Sequence, residues 1–152
     1  MSIASEILRL RESLPQGVRL LAVSKFHPVE ALQQAYDAGQ RAFGESRPQE
    51  LKLKAEVMPH DIEWHMIGHL QTNKVKYIIG KVKLIHSVDS VHLAEEINKK
   101  AQAQGLQQDI LFQFNISGEE SKSGATAESA ETIFEELSKL RSISVRGLMT
   151  MA

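Results

Sequence analysis

The fold is decided by the stretch Arg19-Leu20-Leu21-Ala22-Val23-Ser24-Lys25, in which an apolar run leads directly into two polar side chains. A short apolar run without alternation predicts a strand over Arg19–Val23 that is buried on both faces. Such strands are typical of parallel sheets whose two sides are covered. Lys25 would then lie, partly desolvated, at the carboxyl end of this strand.

Helical and strand patterns alternate on both sides of this stretch. A helical stripe over residues 3 to 14 precedes it, Pro28 and Gly39 bound the next helix, and further helices start near Ser90 and Thr126. Further strands are predicted at Arg41 to Gly44, Glu63 to Ile67, Lys83 to His86, Asp109 to Ile116 and Val145 to Met149. This alternation predicts an α/β fold with a parallel sheet and right-handed crossovers.

The length of 152 residues predicts a single domain over 1–152. A complete eight-unit barrel of strands and helices needs roughly 200 to 250 residues. The six predicted strands therefore correspond to about six of eight units, and we expect a C-terminally incomplete barrel.

Composition restricts the class of partner and the compartment. The formal net charge of -1 gives no overall field toward nucleic acid or an anionic membrane. There is no cysteine, which excludes thiol catalysis and cysteine-ligated metals and fits a reducing cytosol. Neither a signal peptide nor a membrane-spanning run is recognisable, so we expect a cytoplasmic protein.

The carboxyl ends of parallel strands meet at one edge of the sheet, and ligands bind there. The residues at these ends are Ser24, Lys25, Glu45, Ser46, Gly68, His69, Ser87, Asp89, Ser117 and Thr150. Lys25 is the chemically distinctive one, because a desolvated neutral amine forms a Schiff base with an aldehyde. The alternative, which the pattern alone favours, is a solvated lysine at a strand end.

Other candidate motifs point to no site. His65 and His69 lie on a strand and the loop after it, where a spacing of four does not converge on one metal. Lys74, Lys76, Lys81 and Lys83 are interpreted as the solvated face of a short helix and its flanks.

Six motifs follow one another along the chain. They are Ala22-Val23-Ser24-Lys25, Phe43-Gly44-Glu45 with Gln49-Glu50, Trp64-His65-Met66-Ile67-Gly68 through Leu70-Gln71-Thr72-Asn73-Lys74, His86-Ser87-Val88-Asp89-Ser90, Asn115 to Gly124, and Gly147-Leu148-Met149-Thr150-Met151. Together they resemble the motifs of the pyridoxal phosphate homeostasis protein family. The resemblance extends over the chain from about Arg19 onward.

The resemblance implies a TIM-type (β/α) barrel of the alanine racemase N-terminal domain type. It implies pyridoxal 5'-phosphate as the cofactor, held as a Schiff base by Lys25. It places further residues beside the cofactor, namely Ser46, His65, Ser87, Asn115 and Met149. Ser46 stands where the family commonly has Asn, and His69 where Pro is frequent, so contacts around the cofactor differ from the usual pattern.

The resemblance also implies a non-enzymatic role in cofactor homeostasis, with pyridoxal phosphate-dependent apo-enzymes as recipients of the cofactor. An amino-acid racemase or decarboxylase of the same fold is the first alternative, disfavoured because the second domain of those enzymes is missing. A cofactor-free remnant acting as an interaction module is the second. The family's phosphate-binding segments belong to the last two barrel units, so we expect weakened cofactor affinity and self-association through the incomplete barrel.

Overall fold

The computed structural model describes residues 2–115 and 125–151. Three features of the sequence predictions lie outside these residues. They are the last residue of the predicted fifth strand, Ile116, the strand-end residue Ser117, and the rest of the motif that runs from Asn115 to Gly124.

Six parallel strands form one sheet in the order β1-β2-β3-β4-β5-β6, with helices between them. This confirms the predicted α/β architecture with parallel pairing. The strands are β1 Ala22–Val23, β2 Ala42–Glu45, β3 Glu63–Met66, β4 Leu84–Val88, β5 Gln108–Gln113 and β6 Ile143–Met149. The α-helices are α1 Ile3–Ser13, α2 Val29–Asp37, α3 Pro48–Val57, α4 Val91–Ala103 and α5 Ala130–Leu137. Short 3-10 helices cover Thr72–Tyr77 and Ala127–Ser129.

The strand predicted over Arg19–Val23 is shorter than expected, and its predicted burial on both faces is wrong. Only Ala22 and Val23 pair as β1, and the Val23 side chain is 52% exposed. Within the described residues β1 has β2 as its single neighbour. An edge strand has a hydrogen-bonded neighbour on one side only. Fewer side chains therefore surround β1 than would surround the central strand that the apolar run predicts.

The starts of α3 and α4 have local chemical causes. Helix α4 begins at Val91, in agreement with the start predicted near Ser90, and the Ser90 hydroxyl caps it by accepting a hydrogen bond from the Leu93 amide at 3.1 Å. The last helix begins at Ala130, after a 3-10 turn, rather than near Thr126. Helix α3 is not predicted from the sequence as a separate element. It has Pro48 at its first position, where a backbone N–H would have no partner within the helix.

The apolar core lies between the sheet and the helices. Alternate strand residues such as Phe43, Trp64 and Phe112 are nearly fully buried on this side of the sheet. The alternate positions, among them His65 and His86, point to the opposite face, because successive strand residues face opposite sides. The sheet thus has a packed outer face and an inner face that carries polar groups.

Candidate functional site

Lys25 lies directly after β1, at the carboxyl edge of the sheet, and its side chain is exposed. The predicted partial desolvation of this lysine is therefore wrong in the described structure, because few side chains surround the end of an edge strand. Its two neighbours are held in unlike ways. Ser24 is 3% exposed, whereas Phe26 is 65% exposed and has a left-handed φ of 66°. A non-glycine residue in this region costs on the order of 1 kcal/mol of backbone strain.

Ser24 is anchored to a buried ion pair. Its hydroxyl donates a hydrogen bond to the carboxylate of Glu45, which is completely buried. The Lys54 ammonium of α3 contacts both Glu45 carboxylate oxygens, at 3.1 and 3.2 Å, and donates to the Ser24 carbonyl oxygen at 3.0 Å. The hydroxyl and the carbonyl group of Ser24, the residue before Lys25, are thus fixed by side chains of β2 and α3.

Glu50 of α3 extends the same cluster to the residue after Lys25. One carboxylate oxygen accepts the Phe26 backbone N–H at 2.9 Å and contacts the Lys54 ammonium at 2.8 Å. Burial raises the pKa of Glu45 above its ordinary value despite its hydrogen bonds from Ser24 and Lys54. Burial alone would also raise the pKa of Glu50. Hydrogen bonds from Lys54 and the Phe26 amide outweigh burial and hold the pKa of Glu50 below its ordinary value.

Ser46 and Ser87 meet at the Gly68 backbone. A Cβ added to Gly68 would lie 2.6 Å from the Ser46 Cβ and 2.8 Å from its backbone, so only glycine allows this approach. The Ser87 hydroxyl donates to the Gly68 carbonyl oxygen at 2.5 Å. Three adjacent strand ends are therefore locked together, and the Ser87 hydroxyl retains only its lone pairs for a ligand.

His65 contacts His86 on the inner face of the sheet. Its Nδ1 lies 2.8 Å from His86 Nε2, within hydrogen-bonding distance. His65 Nε2 is buried and has no hydrogen-bond partner among the described residues. Burial, and then the neighbouring His86, lower the pKa of His65 from 6.5 to about 4, so the ring is neutral near pH 7.

The last two predicted cofactor residues lie toward the other end of the sheet. Met149 ends β6 and is half-buried, with its carbonyl oxygen accepting the Phe114 N–H at 3.0 Å. Asn115 follows β5, and its backbone N–H donates a hydrogen bond to the carbonyl oxygen of Ala125 at 2.8 Å. The structure brings Ser46 and Ser87 together, whereas Met149 lies on the edge strand opposite the one that precedes Lys25.

Two further kinds of feature are absent from the described ranges, 2–115 and 125–151. No three metal-ligating side chains come together there. None of the helices formed by those residues is both long and apolar enough to cross a membrane.

The whole chain, residues 1–152, matches a family model described as "Alanine racemase, N-terminal domain". A protein of Aquifex aeolicus named "Pyridoxal phosphate homeostasis protein" is 46% identical over 134 residues. That match covers 88% of this chain and 59% of the relative. The chain therefore spans about three fifths of the length of that relative.

Two solved structures of PipY from Synechococcus elongatus are similar over 99% of this chain and 71% of theirs. The structure described as lacking PLP superimposes with a TM-score of 0.92 at 39% identity. The structure described as having PLP bound gives a TM-score of 0.88 at 37% identity. This similarity places the six strands described above in a TIM-type (β/α) barrel.

Proposed function

We propose that this chain, which belongs to the alanine racemase N-terminal domain family and within it to the pyridoxal phosphate homeostasis proteins, binds pyridoxal 5'-phosphate through Lys25. The observation that carries the proposal is the placement of an exposed lysine at the carboxyl edge of the sheet, on a turn whose flanking residues are both fixed. In parallel α/β folds this edge is where ligands bind.

The residues present fit such a cofactor. Lys25 Nζ would hold the cofactor at its aldehyde carbon, with the aldehyde oxygen released as water. The cofactor supplies an electron-withdrawing ring when bound. Ser46 and Ser87 offer polar groups at the ends of β2 and β4, on either side of β3, and His65 offers a neutral ring on the inner face.

The role we propose is to hold and release the cofactor without catalysis, with pyridoxal phosphate-dependent apo-enzymes as recipients and the cytosol as the compartment. A reversible carbon–nitrogen bond requires only an amine and an aldehyde. Racemisation or decarboxylation requires acid and base groups positioned on the substrate as well. The relatives' name supports the homeostasis role, and the absence of cysteine fits a reducing compartment.

The test is an absorbance titration of the purified chain with pyridoxal phosphate. We expect a new near-visible band in the wild type, absent in Lys25→Ala and in Lys25→Arg, which keeps the positive charge but provides no amine nucleophile. Lys52→Ala, which removes a lysine of α3, should keep the band. Borohydride reduction followed by mass spectrometry should place the adduct on the peptide that contains Lys25.

Two results would contradict the proposal. A band of equal intensity in Lys25→Ala would assign the adduct to another lysine. No band in the wild type would leave the family relationship as a statement about fold. Exchange of the α-proton of an added amino acid in deuterated water, dependent on Lys25, would replace the carrier role by the enzymatic alternative.

A further inference from the structure

We propose that Glu45, Glu50 and Lys54 form a buried clamp that positions the amine of Lys25, a role that rests on the proposed function. The clamp touches no cofactor atom in this proposal. It acts through Ser24 and Phe26, the two residues that flank the lysine.

The clamp holds the Lys25 turn on both sides. On the amino-terminal side it contacts Ser24 twice, at the hydroxyl through Glu45 and at the carbonyl oxygen through Lys54. On the carboxyl-terminal side the Glu50 carboxylate accepts the Phe26 N–H at 2.9 Å. Lys54 joins the two sides, because its ammonium contacts both Glu45 and Glu50.

The backbone at Phe26 shows that the turn needs such support. Its left-handed φ of 66° is one that non-glycine residues rarely adopt and that surrounding contacts must maintain. The exposed Phe26 side chain contributes a contact with the Arg47 guanidinium, 4.7 Å from the ring centroid. The hydrogen bond to Glu50 fixes the backbone itself.

Stability alone does not account for a buried ion pair at this place. Removing Glu45 and Lys54 from water costs free energy that their attraction barely recovers, and apolar side chains of similar volume often stabilise a fold equally well. Glu45 is 0% and Lys54 6% exposed. What apolar residues could not do is bond the Ser24 hydroxyl and carbonyl, which is why we assign the pair a positioning role.

The decisive variant removes the two buried charges, Glu45 and Lys54, together. It leaves Glu50 charged, but that carboxylate is partly exposed and keeps the Phe26 N–H, so we expect Glu45→Gln combined with Lys54→Met to unfold at a temperature close to that of the wild type. The adduct with pyridoxal phosphate should nevertheless form about tenfold or more slowly, because the amine is no longer held in one geometry. The circular dichroism of the near-visible band, relative to its absorbance, should fall, since only a fixed adduct acquires a defined chiral environment. Lys52→Met is the matched control on the same helix and should change neither quantity.

A second measurement needs no cofactor. Hydrogen exchange of the Phe26 amide, followed by NMR, should be slow in the wild type and accelerate about tenfold or more in Glu50→Gln, which loses a charged acceptor. Glu56→Gln, an exposed position on the same helix, is the control and should leave Phe26 protected. If the double variant fails to fold, Glu50→Gln and Ser24→Ala carry both measurements.

The outcomes separate this inference from the proposed function. A wild-type band with the same rate and the same dichroism in the double variant would overturn the positioning role and leave Lys25 binding intact. Unchanged Phe26 exchange in Glu50→Gln would overturn the carboxyl-terminal half of the clamp. A wild type without a Lys25-dependent band would overturn the proposed function and the positioning role with it.

Discussion

His65 illustrates, at the scale of a single residue, how a strand position sets protonation. It lies on the inner face of β3 with His86 at 2.8 Å, and Glu63, Arg19 and Lys83 are its charged neighbours. Burial makes the largest contribution to lowering its pKa to about 4, and it lowers the pKa of His86 as well. Both rings therefore resist protonation in the folded chain.

This resistance predicts a loss of stability in mild acid. Between pH 6.5 and about 4 the unfolded chain protonates His65 and the folded chain does not, so the free energy of unfolding falls as the pH falls. From pH 7 to pH 5 we expect a loss of about 2 kcal/mol from this residue. Urea unfolding at both pH values measures it. His65→Gln should reduce the loss, and the exposed His92→Gln should not.

The raised pKa of Glu45 has the opposite effect and increases the free energy of unfolding as the pH falls. The reason is that the folded chain binds a proton at Glu45 more readily than the unfolded chain does. The comparison between the two histidine variants removes this contribution, since both retain Glu45. An equal loss of stability in His65→Gln and in wild type would contradict the role given to His65.

What could be foreseen of the site depended on its place in the chain. Lys25 is predictable from the sequence because it directly follows an apolar run, but its exposure is not, since an edge position depends on which strands are neighbours. The bonds from Glu45 and Lys54 to Ser24 join residues from three different elements, and neither residue's local pattern indicates them. His86 became a partner of His65 through the register that pairs His65 with Leu84, which periodicity does not specify.

At the scale of elements, the side chain of Gln40 links the segment before β1 to its neighbours. The Gln40 amide nitrogen donates to the carbonyl oxygens of Leu20 and Ala42, at 2.7 and 2.8 Å. Its amide oxygen accepts from Arg11 of α1 at 2.8 Å. Gln40 is 2% exposed and thereby joins α1, the segment before β1 and β2.

We therefore expect Gln40→Ala to lower the free energy of unfolding by about 1 to 3 kcal/mol, because it removes the buried amide that bonds the Leu20 and Ala42 carbonyl groups and Arg11. Urea unfolding followed by the fluorescence of Trp64 measures the change. The exposed Gln49→Ala should remain within about 0.5 kcal/mol of wild type. A Gln40→Ala value inside that same interval would show that water replaces the side chain at both carbonyls.

The sequence indicated the element types better than their ends. Alternating apolar runs and helical stripes predicted all six strands and their parallel pairing, because periodicity reports which side chains face the core. The start of the last helix at Ala130 and the end of β5 at Gln113 depend on capping and on neighbouring loops. The sequence does not predict helix α3 as a separate element, because its apolar and charged residues do not segregate into one clear stripe.

At the scale of the whole molecule, the two edge strands carry exposed apolar side chains. Leu148 of β6 is 62% exposed although it pairs with the buried Phe112, and Val23 of β1 is 52% exposed. Unpaired edge groups beside apolar surface promote association between chains.

We expect the chain to self-associate, with a sedimentation coefficient that rises with concentration toward about 100 μM. Leu148→Lys should shift it toward a monomer, because a lysine on an edge strand disfavours pairing. Val57→Lys places the same side chain at a 69% exposed apolar position on α3 and should leave association unchanged. A wild type that sediments as a monomer across this range would contradict the expectation.

The sequential order of the sheet also bears on how the chain acquires its structure during synthesis. Each strand pairs with the one made just before it, and the first residues of consecutive strands are 20 to 35 positions apart. The entropy of closing each loop is therefore modest, and none of the six described strands pairs with a partner distant in the sequence. These six strands can pair one at a time as translation proceeds, and the lysine turn after β1 is made before the β2 and α3 residues that hold it.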